Sequence, residues 1–243
     1  MTPDNIFASL FADPREIKAD GNRLAGSARV LDGTLVHVLG FTNRALLGVD
    51  EAIELSAQVL EIAGAADTAP ILFLVDSNSQ RMSRRDELLG LSEYLAHLAK
   101  PLLLAESAGH RTIGLLYSGS AAGALIATAL ACGTLVALPG ARPEVMDLPS
   151  MARVTKLSLD VLRDRAGSTP VFAPGLDNLV QTGGIAQVWN SDQPLAPLLV
   201  RLLQGSPLAR TRAGRAALGM ARGGRSKAFD IAARVQREVQ YCD

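Results

Sequence analysis

Histidine, cysteine and aromatic residues are all scarce in this chain of 243 residues, which has 3 His, 2 Cys and only 4% Phe, Trp and Tyr. Two cysteines, Cys132 and Cys242, make neither a disulfide framework nor a zinc site by themselves, and they suit a reducing cytoplasm. His37, His97 and His110 lie far apart and form no His-x-x-x-His pair, so no metal site is read. A Ser–His hydrolase is likewise short of candidates for its base. Net charge is also missing: 24 Lys and Arg balance 24 Asp and Glu, which argues against a general nucleic-acid binder. The longest apolar stretch, Leu125 to Leu138, is interrupted by Thr, Cys and Gly and falls short of the roughly 20 apolar residues a membrane helix needs. The start, MTPDNIFASLFADPRE, is acidic where a signal peptide is basic. A soluble cytoplasmic protein without a membrane or nucleic-acid partner is expected.

What the chain does have is an aliphatic core: 48% of its residues are hydrophobic and 20% charged. Short apolar runs at Pro70–Val75, Pro101–Ala105, Thr112–Tyr117 and Thr134–Leu138 read as buried strands. Further strands are read at Ser27–Leu31, Leu35–Leu39 and Ile185–Trp189. Helical patterns lie between them. Val49–Ala63 sets Ile53, Val59, Leu60 and Ala63 against Glu51, Glu54 and Glu61. Ser83–Ala99 spaces Leu88, Leu91, Leu95 and Leu98 helically and opens on a Ser83/Asp86 capping signal. Ala121–Ala131 is apolar on all sides, which marks a buried helix. Ser150–Arg165, Leu176–Gln181 and the stretch from Pro207 onward read as further helices. Alternating strands and helices give an α/β architecture with mostly parallel strands. The simplest partition is one domain over 1–200 and a basic helical extension over 201–243, where nine Arg or Lys face three acids.

The segment YSGSAAGAL, Tyr117 to Leu125, carries the most chemical information. A strand ends, small residues turn the chain, and an apolar helix begins. Small side chains allow a ligand close to the backbone, and free N–H groups at a helix start favour an anion or oxyanion; tight helix–sheet packing is the bland alternative. Gly-x-Gly-x-x-Gly, Walker A and the Gly-x-Ser-x-Gly elbow all fail here, since only Gly119 and Gly123 are glycine. Asp76 ends a strand in VDSNSQRMSRRDE, a usual place for ligand loops, although a turn or cap role is the simpler reading. Asn78, Ser79 and Gln80 follow as pocket candidates. Arg81, Arg84 and Arg85 read first as a solvated charged face.

Taken in order, VDSNSQRMSRRDELLGLSEYLAHLAKPLLLAESAG, YSGSAAGALIATALACGTLVALPGARPEVM and LVQTGGIAQVW resemble the carboxyltransferase branch of the crotonase superfamily. More closely they resemble the gamma subunits of biotin-independent malonate decarboxylases, and GFTNRALLGVDEA suits the start of that domain. The resemblance implies a crotonase-like ββα spiral core with a C-terminal helical extension. It implies decarboxylation of malonyl-S-acyl carrier protein to the acetyl thioester, through an enolate stabilised by backbone amides. Gly123, Ala124 and Ala122 are the expected oxyanion donors, Gly123 and Ala124 first, while Gly119, Ser120, Ala121, Asn78, Ser79 and Gln80 line the substrate. Alanine stands at Ala121 and Ala122 where relatives typically have glycine. TGGIAQVW reads as structural.

The implied partners are a homologous beta subunit, the acyl carrier protein (delta subunit) and an alpha-subunit carrier-protein transferase. No cofactor is expected on the chain itself; a phosphopantetheine-type group sits on the carrier. The basic tail, through Arg222 and Arg225, is a candidate docking surface for an acidic carrier, and Gly223-Gly224 is expected to let the chain bend toward the arm. Two alternatives stay open. One is a single-chain hydratase or isomerase using Glu106 or Glu144. The other is a non-catalytic scaffold for the beta subunit.

Overall fold

A computed structural model of the chain describes residues 1–170, 173–205 and 212–239. Cys242 and Pro207 lie outside them, as do Arg210 and Asp243 of the basic extension. The described residues gather into two compact units. The first comprises Met1–Val145 with Gln187–Gly205, and the second the described residues of Met146–Ala186 and of the tail, 212–239. The tail therefore groups with residues 146–186 rather than standing apart from 1–200.

In the first unit, α1 (Pro3–Leu10) precedes β1 (Lys18–Asp20), β2 (Arg23–Arg29), β3 (Leu35–Phe41) and β4 (Ala45–Leu47). Then follow α2 (Val49–Ala63), β5 (Ile71–Val75), β6 (Ser77–Gln80), α3 (Arg84–Leu89) and α4 (Leu91–Ser107). β7 (Thr112–Leu116), β8 (Gly119–Ala121), α5 (Ala122–Ala127), β9 (Thr134–Ala137) and β10 (Arg142–Glu144) complete its main run. The second unit holds α6 (Leu148–Thr155), α7 (Leu159–Ser168) and α8 (Leu176–Gln181). The chain re-enters the first unit through β11 (Gln187–Val188) and α9 (Ala196–Gln204), and α10 (Arg212–Ala221) and α11 (Ser226–Val239) belong to the second.

A seven-stranded sheet in the order β1-β2-β3-β5-β7-β9-β11 forms the centre of the first unit. It is antiparallel at β1–β2–β3 and parallel from β3 onward. Each of β3, β5, β7 and β9 runs straight into a short strand outside this sheet, and these short strands pair in parallel as β4–β6 and β8–β10. The recurring strand–strand–helix unit, seen in β3–β4–α2, β5–β6–α3/α4 and β7–β8–α5, is the crotonase-like spiral. The apolar run of the sheet strand stops at a polar residue before the short strand begins, Asp76 between β5 and β6 and Ser118 between β7 and β8.

Alternation along the strands sorts the core into two faces. Leu72, Leu74, Ile113, Leu115, Val136 and Leu138 point to one face, with Ile6, Phe7 and Leu10 of α1 and Leu199 of α9 in the same cluster. Ile71, Phe73 and Leu116 are equally buried and point to the other. Strands buried on both faces explain why β5 and β7 read as continuous apolar runs.

Several sequence expectations are corrected. Pro101–Ala105 is not a strand but the C-terminal half of α4, with Pro101 inside the helix. Leu98, Pro101, Leu102 and Ala105 are buried at helical spacing while Leu103 and Leu104 are exposed, so the run is amphipathic once the turns before it are counted. The expected Ser83–Ala99 helix is two helices, because Gly90 takes a left-handed φ of 85° that ends α3. The Ser150–Arg165 helix is likewise split into α6 and α7 by Lys156 at φ 62°. The Ala121–Ala131 helix shortens to six residues. α2 occupies the expected residues but buries Val49, Ala52, Leu55, Ser56 and Val59, leaving Ile53 and Leu60 more than 40% exposed. No helix among the described residues is long and apolar enough to cross a membrane.

Candidate active site

The bend between β7 and β8 places the YSGSAAGAL turn at the centre of the candidate site. Gly119–Ala121 pair in parallel with Arg142–Glu144, in the register Arg142↔Gly119, Pro143↔Ser120 and Glu144↔Ala121. Because side chains alternate along a strand, Arg142 and Glu144 share a face while Pro143 turns inward and is buried. Ser120 is 2% exposed, and its Oγ lies 2.8 Å from Ser77 Oγ, tying β8 to β6. A cavity of about 250 Å³ opens on this edge, lined by Arg44, Ser77, Asn78, Gly119, Ser120, Ala121, Arg142 and Glu144.

The turn beyond β8 is strained. Ala122 adopts φ 50°, a left-handed conformation that costs an alanine about 1–2 kcal/mol. Alanine at this position therefore keeps the conformation that glycine would adopt freely, and neighbouring contacts must hold it. One is visible: the Gly123 N–H donates to Gln80 Oε1 at 2.9 Å.

These contacts redistribute the expected roles. Asn78, Gly119, Ser120 and Ala121 are brought together around the cavity. Gly123 is not a free oxyanion donor, because its N–H is already held by Gln80. Ala124 is fully buried, and the backbone edge bordering the cavity is Gly119–Ala121. Gln80 fixes the turn rather than lining the cavity, and Ser79 Oγ donates to the Gln80 carbonyl at 3.0 Å. Ser77, Arg44 and Arg142 were missed. Ser77 sits next to Asp76 and Asn78, and Arg142 two residues before Glu144, and only strand register distinguishes them. Arg44 comes from a loop more than thirty residues upstream, with no local signal.

The two carboxylates considered for hydratase chemistry part ways. Glu106 Oε1 accepts from Thr112 Oγ1 at 2.8 Å and also from the Thr112 N–H, which makes it a brace between α4 and β7. Glu144, in contrast, lines the cavity. Arg81 pairs with Glu51, and Arg85 with Asp50 at 2.7 Å, so these two are engaged with α2. Tyr117 is pushed above its ordinary range by burial and by the nearby Asp76 charge, and its hydroxyl donates to the Phe41 carbonyl at 3.4 Å.

In the second unit, Arg222 is not a free docking cation. Its guanidinium donates to the Val180, Ile185 and Ala186 carbonyls at 2.6–2.8 Å, holding the turn after α8. Gly223-Gly224 is not a hinge toward a ligand either. Gly224 is buried, and a Cβ there would overlap the Gln181 carbonyl oxygen. The same close packing explains Gly183 and Gly219. TGGIAQVW contributes Gly183 to this packing. Arg225 is exposed. Replacing Arg222 with Ala should therefore cost about 2–4 kcal/mol, since charge-assisted hydrogen bonds to three carbonyls are lost together. Chemical denaturation of the purified chain checks this; unaltered stability would return Arg222 to a surface role.

Fold and cavity together define a carboxyltransferase-type protein of crotonase-like architecture. A transcarboxylase 12S structure superposes with a TM-score of 0.65 at 15% identity, over 83% of this chain and 39% of that one, a likeness of fold. The chain belongs to the malonate decarboxylase gamma subunit family, whose model matches residues 42–239. A chain of a Pseudomonas malonate decarboxylase hetero-tetramer in complex with coenzyme A is 27% identical, with a TM-score of 0.75 and 98% of each chain covered. A chain of a Pseudomonas malonate decarboxylase hetero-dimer is 27% identical, with a TM-score of 0.68, covering 96% of this chain and 97% of that one. The malonyl-S-ACP:biotin-protein carboxyltransferase of Malonomonas rubra is 24% identical over 197 residues, 74% of this chain and 68% of that protein.

Proposed function

We propose that this chain pairs with a homologous beta subunit in the cytoplasm and decarboxylates a malonyl thioester carried on the phosphopantetheine arm of an acyl carrier protein, an alpha-subunit transferase completing the assembly. The thioester carbonyl rests against the backbone of the Gly119–Ala122 turn. The bond between the carboxylate and the α-carbon breaks, CO2 leaves, and the electron pair moves onto the thioester oxygen. Preorganised backbone donors stabilise that oxyanion. Glu144 then gives its proton to the α-carbon, forming the acetyl thioester, and regains one from water through the open cavity. No cofactor is required on the chain itself. The exposed side chains of Met82, Leu88, Ile126 and, in the second unit, Ile231 and Val235 support a protein partner, with an interface above about 2,000 Å² for an obligate pair. Arg225 is the remaining candidate for carrier docking.

The observation that carries this reading is the register of β8 on β10. It sets a carboxyl, Glu144, beside Ala121 at the strained turn, in the same cavity. Turnover of malonyl-carrier thioester by the reconstituted complex tests it. Glu144→Gln should lower kcat by about 100-fold, the low end for a lost general acid. A wild-type complex that forms no acetyl thioester would remove the proposal, and full activity in the Gln variant would remove Glu144 from it.

A further inference from the structure

We infer that Arg44 and Arg142 form a clamp for the free carboxylate of the malonyl group, and that Asp76 acts through Arg44 as a positioning residue. The inference rests on the thioester reading above and adds what recognises the group that is lost.

Among the eight residues lining the cavity, Arg44 and Arg142 are the two cations, and while Glu144 carries the proton it later donates, no carboxylate of the lining offsets them. Neither guanidinium forms a side-chain hydrogen bond or ion pair among the described residues. Nearby arginines differ: Arg23 pairs with Asp20 and Glu54, Arg81 with Glu51 and Arg85 with Asp50. Two arginines left unpaired at the wall of one cavity suit a carboxylate, which accepts from their planar N–H donors.

Their placement is built in at both ends. Arg142 is fixed by its register opposite Gly119. Arg44 sits on a loop where Asn43 and Arg44 both take left-handed φ values, 57° and 53°, a conformation that persists only where surroundings impose it. Asp76 imposes it. Asp76 Oδ2 accepts from the Arg44 N–H at 3.2 Å, the Asp76 carbonyl accepts from the Ala45 N–H at 3.3 Å, and the Asp76 N–H donates to the Phe41 carbonyl at 3.1 Å. Asp76 is only 7% exposed, and its Oδ1 has no hydrogen-bond partner among the described residues. The Asp76 carboxylate thus lies behind the Arg44 backbone, which it holds through Oδ2.

The chemistry gives this clamp a distinctive kinetic sign. Malonyl and acetyl thioesters differ by one carboxylate, so contacts to it separate substrate from product. When the C–C bond breaks, the carboxylate becomes neutral CO2 and its attraction to the arginines disappears, which favours release. Such contacts are strongest in the ground state, so they lower KM and do not raise kcat.

The test uses the reconstituted complex, measuring turnover of malonyl-carrier thioester and, separately, equilibrium binding of free malonate by calorimetry, with acetate as control. Arg142→Gln and Arg44→Gln should each raise KM by about 10- to 100-fold, the range for a lost charge-assisted hydrogen bond, with kcat not reduced. Malonate binding should weaken in parallel, and acetate should bind poorly throughout. Asp76→Ala should raise KM in the same way, while Asp76→Asn, which keeps an acceptor for the Arg44 N–H, should restore much of it. Unchanged KM and malonate affinity in both arginine variants overturn the clamp while wild-type turnover upholds the decarboxylase reading. A fall in kcat at constant KM overturns it too. A wild-type complex that binds malonate through these arginines yet forms no acetyl thioester upholds the clamp and removes the reading beneath it.

Discussion

Gly123→Val should reduce decarboxylation by the reconstituted complex by roughly 100- to 1,000-fold, the loss typical of one displaced oxyanion donor, while leaving the chain folded. The reason is not that the Gly123 N–H contacts substrate. A Cβ at this position would lie 3.0 Å from Leu95 Cδ1 and 3.1 Å from Gln80 Oε1, and valine adds two methyl groups beyond it. Gln80 must move, its hydrogen bond to the Gly123 N–H breaks, and nothing then holds Ala122 in its left-handed conformation. The turn that borders the cavity shifts as a unit. Overpacking of this kind costs about 1–3 kcal/mol, tolerable for a chain with so extensive a core. Gln80→Leu should give a smaller loss of the same character, because the turn keeps its space and loses only its tether. Steady-state kinetics beside a thermal melt check both. Full turnover by the Gly123 variant in an intact complex would show that the turn plays no part in catalysis.

The second large effect concerns stability. Asp86→Ala should destabilise the protein by about 2–4 kcal/mol, combining the loss of a helix cap with buried donors left unpaired. Asp86 is 1% exposed. Its Oδ1 accepts from the Val49 N–H at 3.0 Å, at the first turn of α2, and its Oδ2 accepts from the Ser83 hydroxyl. Ser83 Oγ in turn accepts from the Asp86 N–H at 3.0 Å, capping α3. One carboxylate thus joins the starts of two helices, through a hydrogen bond between residues 37 apart in sequence. These hydrogen bonds, that from Ser83 foremost, hold its pKa below the ordinary 3.8. A carboxylate with a depressed folded-state pKa stabilises the fold above its unfolded pKa and stops doing so as pH falls through the folded value. The wild-type protein should therefore lose this contribution below about pH 4, and Asp86→Ala should show a flatter acid limb. Urea midpoints measured from pH 7 to pH 3 check the sign; parallel profiles for the two proteins would rule out this linkage.

Much of the fold is legible in the sequence, since local signals coincide with the final packing. PILFLV and TIGLLY are apolar at every position because their strands are covered on both faces. Val49–Ala63 is one helix because Gly48 and Gly64 bound a regular pattern. PLLLA misleads for the same physical reason in reverse: four apolar residues in a row fit a buried strand or a helix flank, and only the helical burial of Leu98, Leu102 and Ala105 decides. The face of α2 was misread because the polar Ser56 points inward, its hydroxyl donating to the Ala52 carbonyl at 2.6 Å, while Ile53 and Leu60 point outward.

For the site, the sequence by itself determined the turn: small residues between an apolar strand and an apolar helix single out Gly119–Gly123 with no further information. Tertiary structure decided everything that the turn meets. Arg44, Asp76 and Arg142 lie far apart along the chain, and whether an arginine faces a cavity, pairs with a neighbouring carboxylate or braces carbonyls as Arg222 does depends on strand register and loop path. Composition records that a charge exists; the long-range pairing of backbones sets what that charge can reach.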